Sequence, residues 1–229
     1  MVDTQMIEFK ANGDNAPGYL ARPEGVTSAP GVVVIQEWWG LNDHIKSIAE
    51  RFANEGFVAL APDLYRGQIA TEPDEARKLA MELQYPQAIK DIQGAINYLH
   101  DQSYVQPKNI GVIGFCMGGR LTGLMAIHGQ HVGAAVPFYG IRDAFTDEDV
   151  QKITAPLLCI YGEEDTSIPL DVARANDAKL QAAGKTVETV IYPGAPHAFF
   201  NDERPSAYRH EAAVDAWGRA LAWLRKYLQ

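Results

Sequence analysis

The chain has 229 residues, with 20 Lys and Arg against 29 Asp and Glu, a formal charge of −9, and only two cysteines. A hydrophobic content of 47 % supplies a substantial core and excludes intrinsic disorder, whose mark is low hydrophobicity. The acidic balance argues against a nucleic-acid binder, which needs a basic stripe to displace counterions from phosphate.

Apolar runs of strand length alternate with longer segments of helical period, the pattern of βαβ units and a mainly parallel sheet with helices on both faces. The first 22 residues predict one or two antiparallel edge strands turning near Asn12-Gly13. Residues 31–35 read as the first buried strand, closed by the polar pair Gln36-Glu37. A helix is expected from Asp43, as N-cap, through Ile45, Ile48, Ala49 and Phe52, ended by Gly56. Residues 57–61 read as the next strand, and residues 71–102 as helical with an interruption at Pro86. A strand over 109–114, a helix over 117–128 and a strand over 133–138 follow. Then come a strand over 156–161, a helix over 170–183 and a strand over 186–192. Near the end, Val214, Trp217, Leu221, Leu224 and Leu228 recur at alternating gaps of three and four, which places all five on one helix face. No repeat and no Gly/Ser-rich linker divides the chain, so residues 1–229 are expected to form a single domain.

No apolar run approaches the roughly 18 residues that span a bilayer, and residues 1–10 lack a basic-then-apolar leader pattern. Cys116 and Cys159 cannot make a disulfide framework, so a reducing cytoplasm is the expected compartment.

Gly114-Phe-Cys116-Met-Gly118 follows an expected strand and opens an expected helix. It has the form of the G-x-S-x-G nucleophile elbow, with cysteine in place of serine. Such a turn lifts the nucleophile above the sheet and leaves the backbone N–H of Met117 free for an oxyanion. The helix N-terminus also favours thiolate over thiol. The competing reading is a buried cysteine in a glycine-rich turn. A nucleophile needs a base and an acid to orient it, which in this fold follow in the order nucleophile, acid, histidine. Asp165 ends Gly162-Glu-Glu-Asp165 and His197 ends Pro193-Gly-Ala-Pro-His197, each just past an expected strand. Open α/β sheets bind ligands at those C-terminal strand ends. Alone, Asp165 reads as a turn acid and His197 as a loop residue; together they complete the set.

His44, His100, His128, His131 and His210 read as solvated or half-buried structural residues. His128 and His131 have a metal-pair spacing without an acidic or thiol ligand nearby, so no metal is expected. The glycines of 111–119 fit neither nucleotide-binding motif, and no cofactor is expected. Cys159 reads as a small core hydrophobe. Trp38, Trp39, Tyr139 and Phe199 either wall an aromatic pocket or pack the core.

Gln36-Glu-Trp-Trp-Gly-Leu-Asn42, Pro62-Asp-Leu-Tyr65, Gly114-Phe-Cys-Met-Gly-Gly119, Tyr139-Gly140 and Gly194-Ala-Pro-His-Ala-Phe199 together resemble the dienelactone hydrolase family, the carboxymethylenebutenolidases. The likeness runs from about residue 16 to the C-terminus. It implies an α/β-hydrolase fold, a Cys116–Asp165–His197 triad, and the backbone N–H of Trp38 as a second oxyanion donor beside Met117. It also implies that Glu37 lies beside the resting thiol and takes its proton when substrate arrives. A carboxylate at the end of a buried strand is poorly solvated and so a stronger base than a free one. The implied reaction is hydrolysis of a lactone or small ester through a thioacyl-enzyme, with His197 activating water. The implied partner is a small molecule, with no nucleic acid and no membrane, and the protein is a monomer or homodimer. Family members that act on dienelactone grip its carboxylate with two arginines. Here Asn201 stands where one is expected, Arg204 comes three residues later, and Arg77 lies in the region of the other. The plainer reading of both arginines is an exposed cation.

Two alternatives remain. Class I amidotransferase-like enzymes also use a cysteine elbow, but carry Glu two residues after the histidine, where this chain has Phe199. A hydrolase-like binding protein would keep the scaffold without chemistry, and would not require an intact Cys, Asp and His set.

Overall fold

Residues 31–35 and 110–115 are apolar or glycine throughout, and in the computed structural model, which describes residues 1–229, both segments are buried from end to end. Unbroken burial is what a parallel strand covered on both faces requires. The strands are β1 (Val2–Ala11), β2 (Asp14–Pro23), β3 (Gly31–Ile35), β4 (Val58–Pro62), β5 (Ile110–Phe115), β6 (Val132–Phe138), β7 (Leu157–Gly162) and β8 (Val187–Tyr192). They form one eight-stranded sheet in the order β1-β2-β4-β3-β5-β6-β7-β8. β1 and β2 pair antiparallel, as do β2 and β4, and the remaining pairs are parallel. The first hairpin turns at Asn12 and Gly13, both with positive φ, as a two-residue loop between right-twisted strands demands. β4 lies on one side of β3 and β5 on the other, so the sheet order reverses there. A crevice opens above the C-terminal ends of β3 and β5, where a site is expected in such a sheet.

The helices are α1 (Asp43–Asn54), α2 (Pro73–Glu82), α3 (Tyr85–Asp101), α4 (Met117–His128), α5 (Asp147–Lys152), α6 (Leu170–Ala182) and α7 (His210–Tyr227). α1 and α7 cover one face: Ile48, Phe52 and Leu224 share a core with Val32, Val34, Ile113 and Val136. α3 and α4 cover the other, where Ile92, Ile96, Leu121 and Met125 meet Val33, Ile35 and Val112. Alternate residues of β3 therefore feed opposite cores, as the pleat dictates. A third cluster, with Leu157, Tyr161 and Leu180, encloses Cys159. Burial pushes that thiol up to about 12, so it stays protonated and inert. No helix is long and apolar enough to cross a membrane.

Several local expectations change. Asn42, not Asp43, caps α1: its Oδ1 accepts the Ile45 N–H at 3.2 Å, and Asp43 enters the first turn, where a carboxylate suits the helix dipole. Pro86 opens α3 instead of interrupting a longer helix, because the first turn needs no N–H from it. On α7 the buried stripe is Ala213, Ala216, Ala220, Leu221 and Leu224, and Val214 is 56 % exposed. Small alanines make the close contact with the sheet and turn Val214 outward. His44, expected to be solvated or half-buried, is 1 % exposed. The short helix α5 had no apolar period to betray it; Thr146 and Asp149 cap its start reciprocally.

The turn from β5 into α4 has the tightest geometry in the fold. Cys116 adopts φ 55° and ψ −116°, a region that costs a non-glycine residue energy and persists only where its surroundings enforce it. They do so by contact: a Cβ on Gly118 would come within 3.0 Å of the Ile35 carbonyl oxygen, and one on Gly119 equally close to that of Phe138. The first turn of α4 thus rests directly on the main chains of β3 and β6. Gly118→Ala should cost about 2–3 kcal/mol in urea denaturation, because backbone, not a flexible side chain, would have to move.

Candidate active site

Register alone brings the first groups together. Ile35 pairs with Gly114, so two residues further Glu37 comes level with Cys116. Phe115 pairs with Phe138, and the Cys116 N–H donates to the Phe138 carbonyl at 3.1 Å, which sets Tyr139 beside Cys116 on the other side. The loops after β7 and β8 are tied to each other by the Glu164 N–H donating to the Ala195 carbonyl at 2.9 Å. That tie holds Asp165 against His197. The ring Nδ1 lies 2.7 Å from Asp165 Oδ2, and Asp165 Oδ1 accepts the Ser167 N–H at 2.8 Å. The Asp165 side chain is wholly buried. With Nδ1 committed to Asp165, the opposite ring nitrogen is left for Cys116, which lines the same cavity.

Burial works to neutralise the His197 ring, but its interactions with the Asp165 carboxylate and with Cys116 as a thiolate outweigh it and raise the pKa to about 10. Cys116 is half-buried at the strained turn. Trp38 and Met117 both line the cavity, and neither backbone N–H donates in the turns, loops and caps of the fold or to a side chain. Two free N–H donors flanking a nucleophile are what an oxyanion needs.

Glu37 is 2 % exposed and has two neutral partners. Its Oε2 accepts from Asn201 Nδ2 at 2.7 Å and its Oε1 from the Tyr139 hydroxyl at 3.5 Å. Burial, then the charges of Glu37 and Cys116, hold the Tyr139 phenol well above its ordinary pKa, so it acts only as a neutral donor. Its ring meets His197 edge-on at 5.1 Å.

The cavity over these groups measures about 570 Å³. Trp38, Trp39, Met81 and Tyr85 wall it, and Arg77, Arg120, Arg142 and Arg204 also line it. Glu37 is the only carboxylate in the wall. Arg77 pairs with Asp74 at 3.1 Å and Arg120 with Asp143 at 2.7 Å, whereas Arg142 and Arg204 have no carboxylate partner. Arg204 lies over the Trp39 ring at 5.1 Å. Phe199 is fully buried and packs against Tyr139 and Tyr192, outside the cavity wall. Sequence reading missed Asn201 as a partner of Glu37, and it missed Arg120 and Arg142. A basic residue just after a β-strand's end was the available signal for Arg142; nothing local flags Asn201.

A mainly parallel sheet with this strand order and a sharp, positive-φ strand-to-helix turn after β5 is the α/β-hydrolase fold. The profile of the dienelactone hydrolase family matches residues 16–228, and the chain belongs to that family. A protein of Aquifex pyrophilus named "Protein usf" is 38 % identical, the match covering 98 % of this chain and 99 % of that one. A "Putative carboxymethylenebutenolidase" of Aquifex aeolicus is 34 % identical over the same shares of the two chains. A crystal structure of a "Putative Dienelactone Hydrolase" from Klebsiella pneumoniae superposes with a TM-score of 0.89 at 32 % identity, covering 99 % of this chain and 100 % of that one. Membership makes the protein a hydrolase of carboxylic esters or lactones.

The raised His197 pKa has a definite sign for stability. The imidazolium contributes fully below the unfolded value near 6.5, and its contribution is lost as pH climbs through about 10. In Asp165→Asn the His197 titration followed by NMR should fall by more than about one unit. The urea midpoint of the native protein, relative to that variant, should decline between pH 6.5 and 10.

Proposed function

We propose that the protein cleaves a lactone or small carboxylic ester through a thioacyl-enzyme on Cys116. The observation that carries this reading is the run of contacts from Asp165 through His197 to Cys116, opening on the cavity. In this scheme His197 is the imidazolium beside a thiolate, and the thiol proton goes to another base. Glu37 takes it: the S–H bond breaks, the proton passes to the carboxylate, and the electron pair stays on sulfur. The thiolate attacks the carbonyl carbon, and the amides of Trp38 and Met117, with the start of α4, stabilise the oxyanion. As the adduct collapses, the C–O bond breaks and His197 gives its proton to the leaving oxygen.

Acylation removes the sulfur's hydrogen bond and charge from His197, leaving burial opposed by Asp165 alone. The ring is then neutral when a base is needed. It takes a proton from water as the water oxygen attacks the thioester, and the expelled thiolate recovers its proton from Glu37. Four arginines around a single, already satisfied carboxylate suit a substrate that itself carries a carboxylate, with Arg204 and Arg142 free to meet it.

Cys116→Ala should lower hydrolysis of an activated aryl ester by about 10³-fold or more, and iodoacetamide should label Cys116 while Cys159 stays protected. Full activity in that variant, or labelling of Cys159 first, would overturn the thiol mechanism. In a panel of lactones with and without a free carboxylate, Arg204→Ala should raise KM about tenfold for the charged members and leave the uncharged ones unchanged. An equal effect on both would remove Arg204 as an anchor.

A further inference from the structure

Asn201 is 1 % exposed, lies 164 residues from Glu37 along the chain, and touches it at 2.7 Å. The direction of its amide is fixed. Asn201 Oδ1 accepts the Glu203 N–H at 3.0 Å, so the Nδ2 end is the one that faces Glu37. The turn that carries it is pinned twice more. The Asn201 N–H donates to the Ala198 carbonyl at 3.0 Å, and Asp202 Oδ1 lies 3.1 Å from Nδ1 of the buried His44 on α1. The amide is thus aimed at a carboxylate that lines the same cavity as the thiol.

We propose that Asn201 is a positioning residue for proton transfer: its amide fixes Glu37 beside Cys116 through an uncharged contact, so the carboxylate stays free to accept the thiol proton. The inference rests on the thiol mechanism above and deepens it. A cation in the same place would also hold Glu37, but it would stabilise the ionised carboxylate and weaken it as a base. An amide also favours the ionised form, but by less than a full charge would. The step it serves breaks the Cys116 S–H bond, forms an O–H bond on Glu37 and leaves the electron pair on sulfur. The titratable groups around Glu37 are Cys116 after β5 and Tyr139 after β6, with His197 and Asp165 beyond Tyr139 and Arg77, Arg120, Arg142 and Arg204 in the same cavity wall.

The test is the single-turnover acylation rate of an activated aryl ester, measured against pH in the full-length protein. Asn201→Asp sets a second carboxylate against Glu37, and the pair retains a proton between them. The acid limb of the profile should therefore move up by about one unit. Asn201→Ala should slow acylation about 10- to 100-fold with KM changed less than about threefold, and Asn201→Gln should recover part of the loss. In a Glu37→Gln background, Asn201→Ala should add nothing, because its effect passes through Glu37. Asn201→Asp and Asn201→Gln keep a polar group in the buried position, so the result does not hang on the alanine variant folding. An unmoved acid limb in Asn201→Asp, or losses from Glu37→Gln and Asn201→Ala that simply multiply, would overturn the proposal. If that happens while Cys116→Ala is inactive, only this inference falls; an active Cys116→Ala would bring down the thiol mechanism and this with it.

Discussion

Everything in the site depends on how closely α4 approaches the sheet. Its first turn sits on the carbonyls of β3 and β6 with room for hydrogen atoms alone at Gly118 and Gly119. That contact forces Cys116 into its positive-φ turn and keeps its sulfur above the strand ends. Once β5 and α4 are locked there, strand register alone carries Glu37 and Tyr139 to either side of Cys116. Asp165 and His197 need only short loops to reach the same point from β7 and β8. Backbone packing thus does the coarse positioning, and side-chain hydrogen bonds refine it.

The parts of this arrangement that local chemistry dictates were legible in the sequence. The expected helix over 117–128 matches α4 residue for residue, because a glycine-rich turn starts it and Gly129 stops it. The expected strands fall within one or two residues of those observed, the usual uncertainty at an element's end. Errors arose where two short-range rules competed. Asn42 and Asp43 are both good caps, and only the backbone angles choose between them. Val214 fits the large-residue period of α7, but alanines one position earlier make the contact. The holder of Glu37 had no local mark at all: Asn201 sits in a loop, far along the chain, and its partner is fixed only by the closed fold.

The molecule contains two Asp–His pairs, and their contrast separates structure from chemistry. His197, paired with Asp165, lines the cavity together with Cys116. His44 with Asp202 lies outside it, and the remaining ring nitrogen of His44 is buried with no partner. The second pair ties α1 to the loop that follows His197. Identical side chains therefore stand in two settings, one pair open to the cavity and the other bracing α1 against a loop, and access to the cavity distinguishes them.

The cationic cavity sits in a body of net charge −9. For an anion approaching from solvent these two fields have opposite sign and different reach. At an ionic strength near 0.15 M the Debye length is about 8 Å, so the diffuse repulsion of the acidic surface fades before the arginines are met. Inside the cavity walls, screening is weaker and the arginine field survives. Salt therefore acts on the two fields unequally: moderate ionic strength lifts the barrier to encounter while leaving much of the grip intact. An anionic ligand would enter faster in a saline medium than in pure water, the reverse of the usual rule for a charged ligand and a pocket of opposite charge.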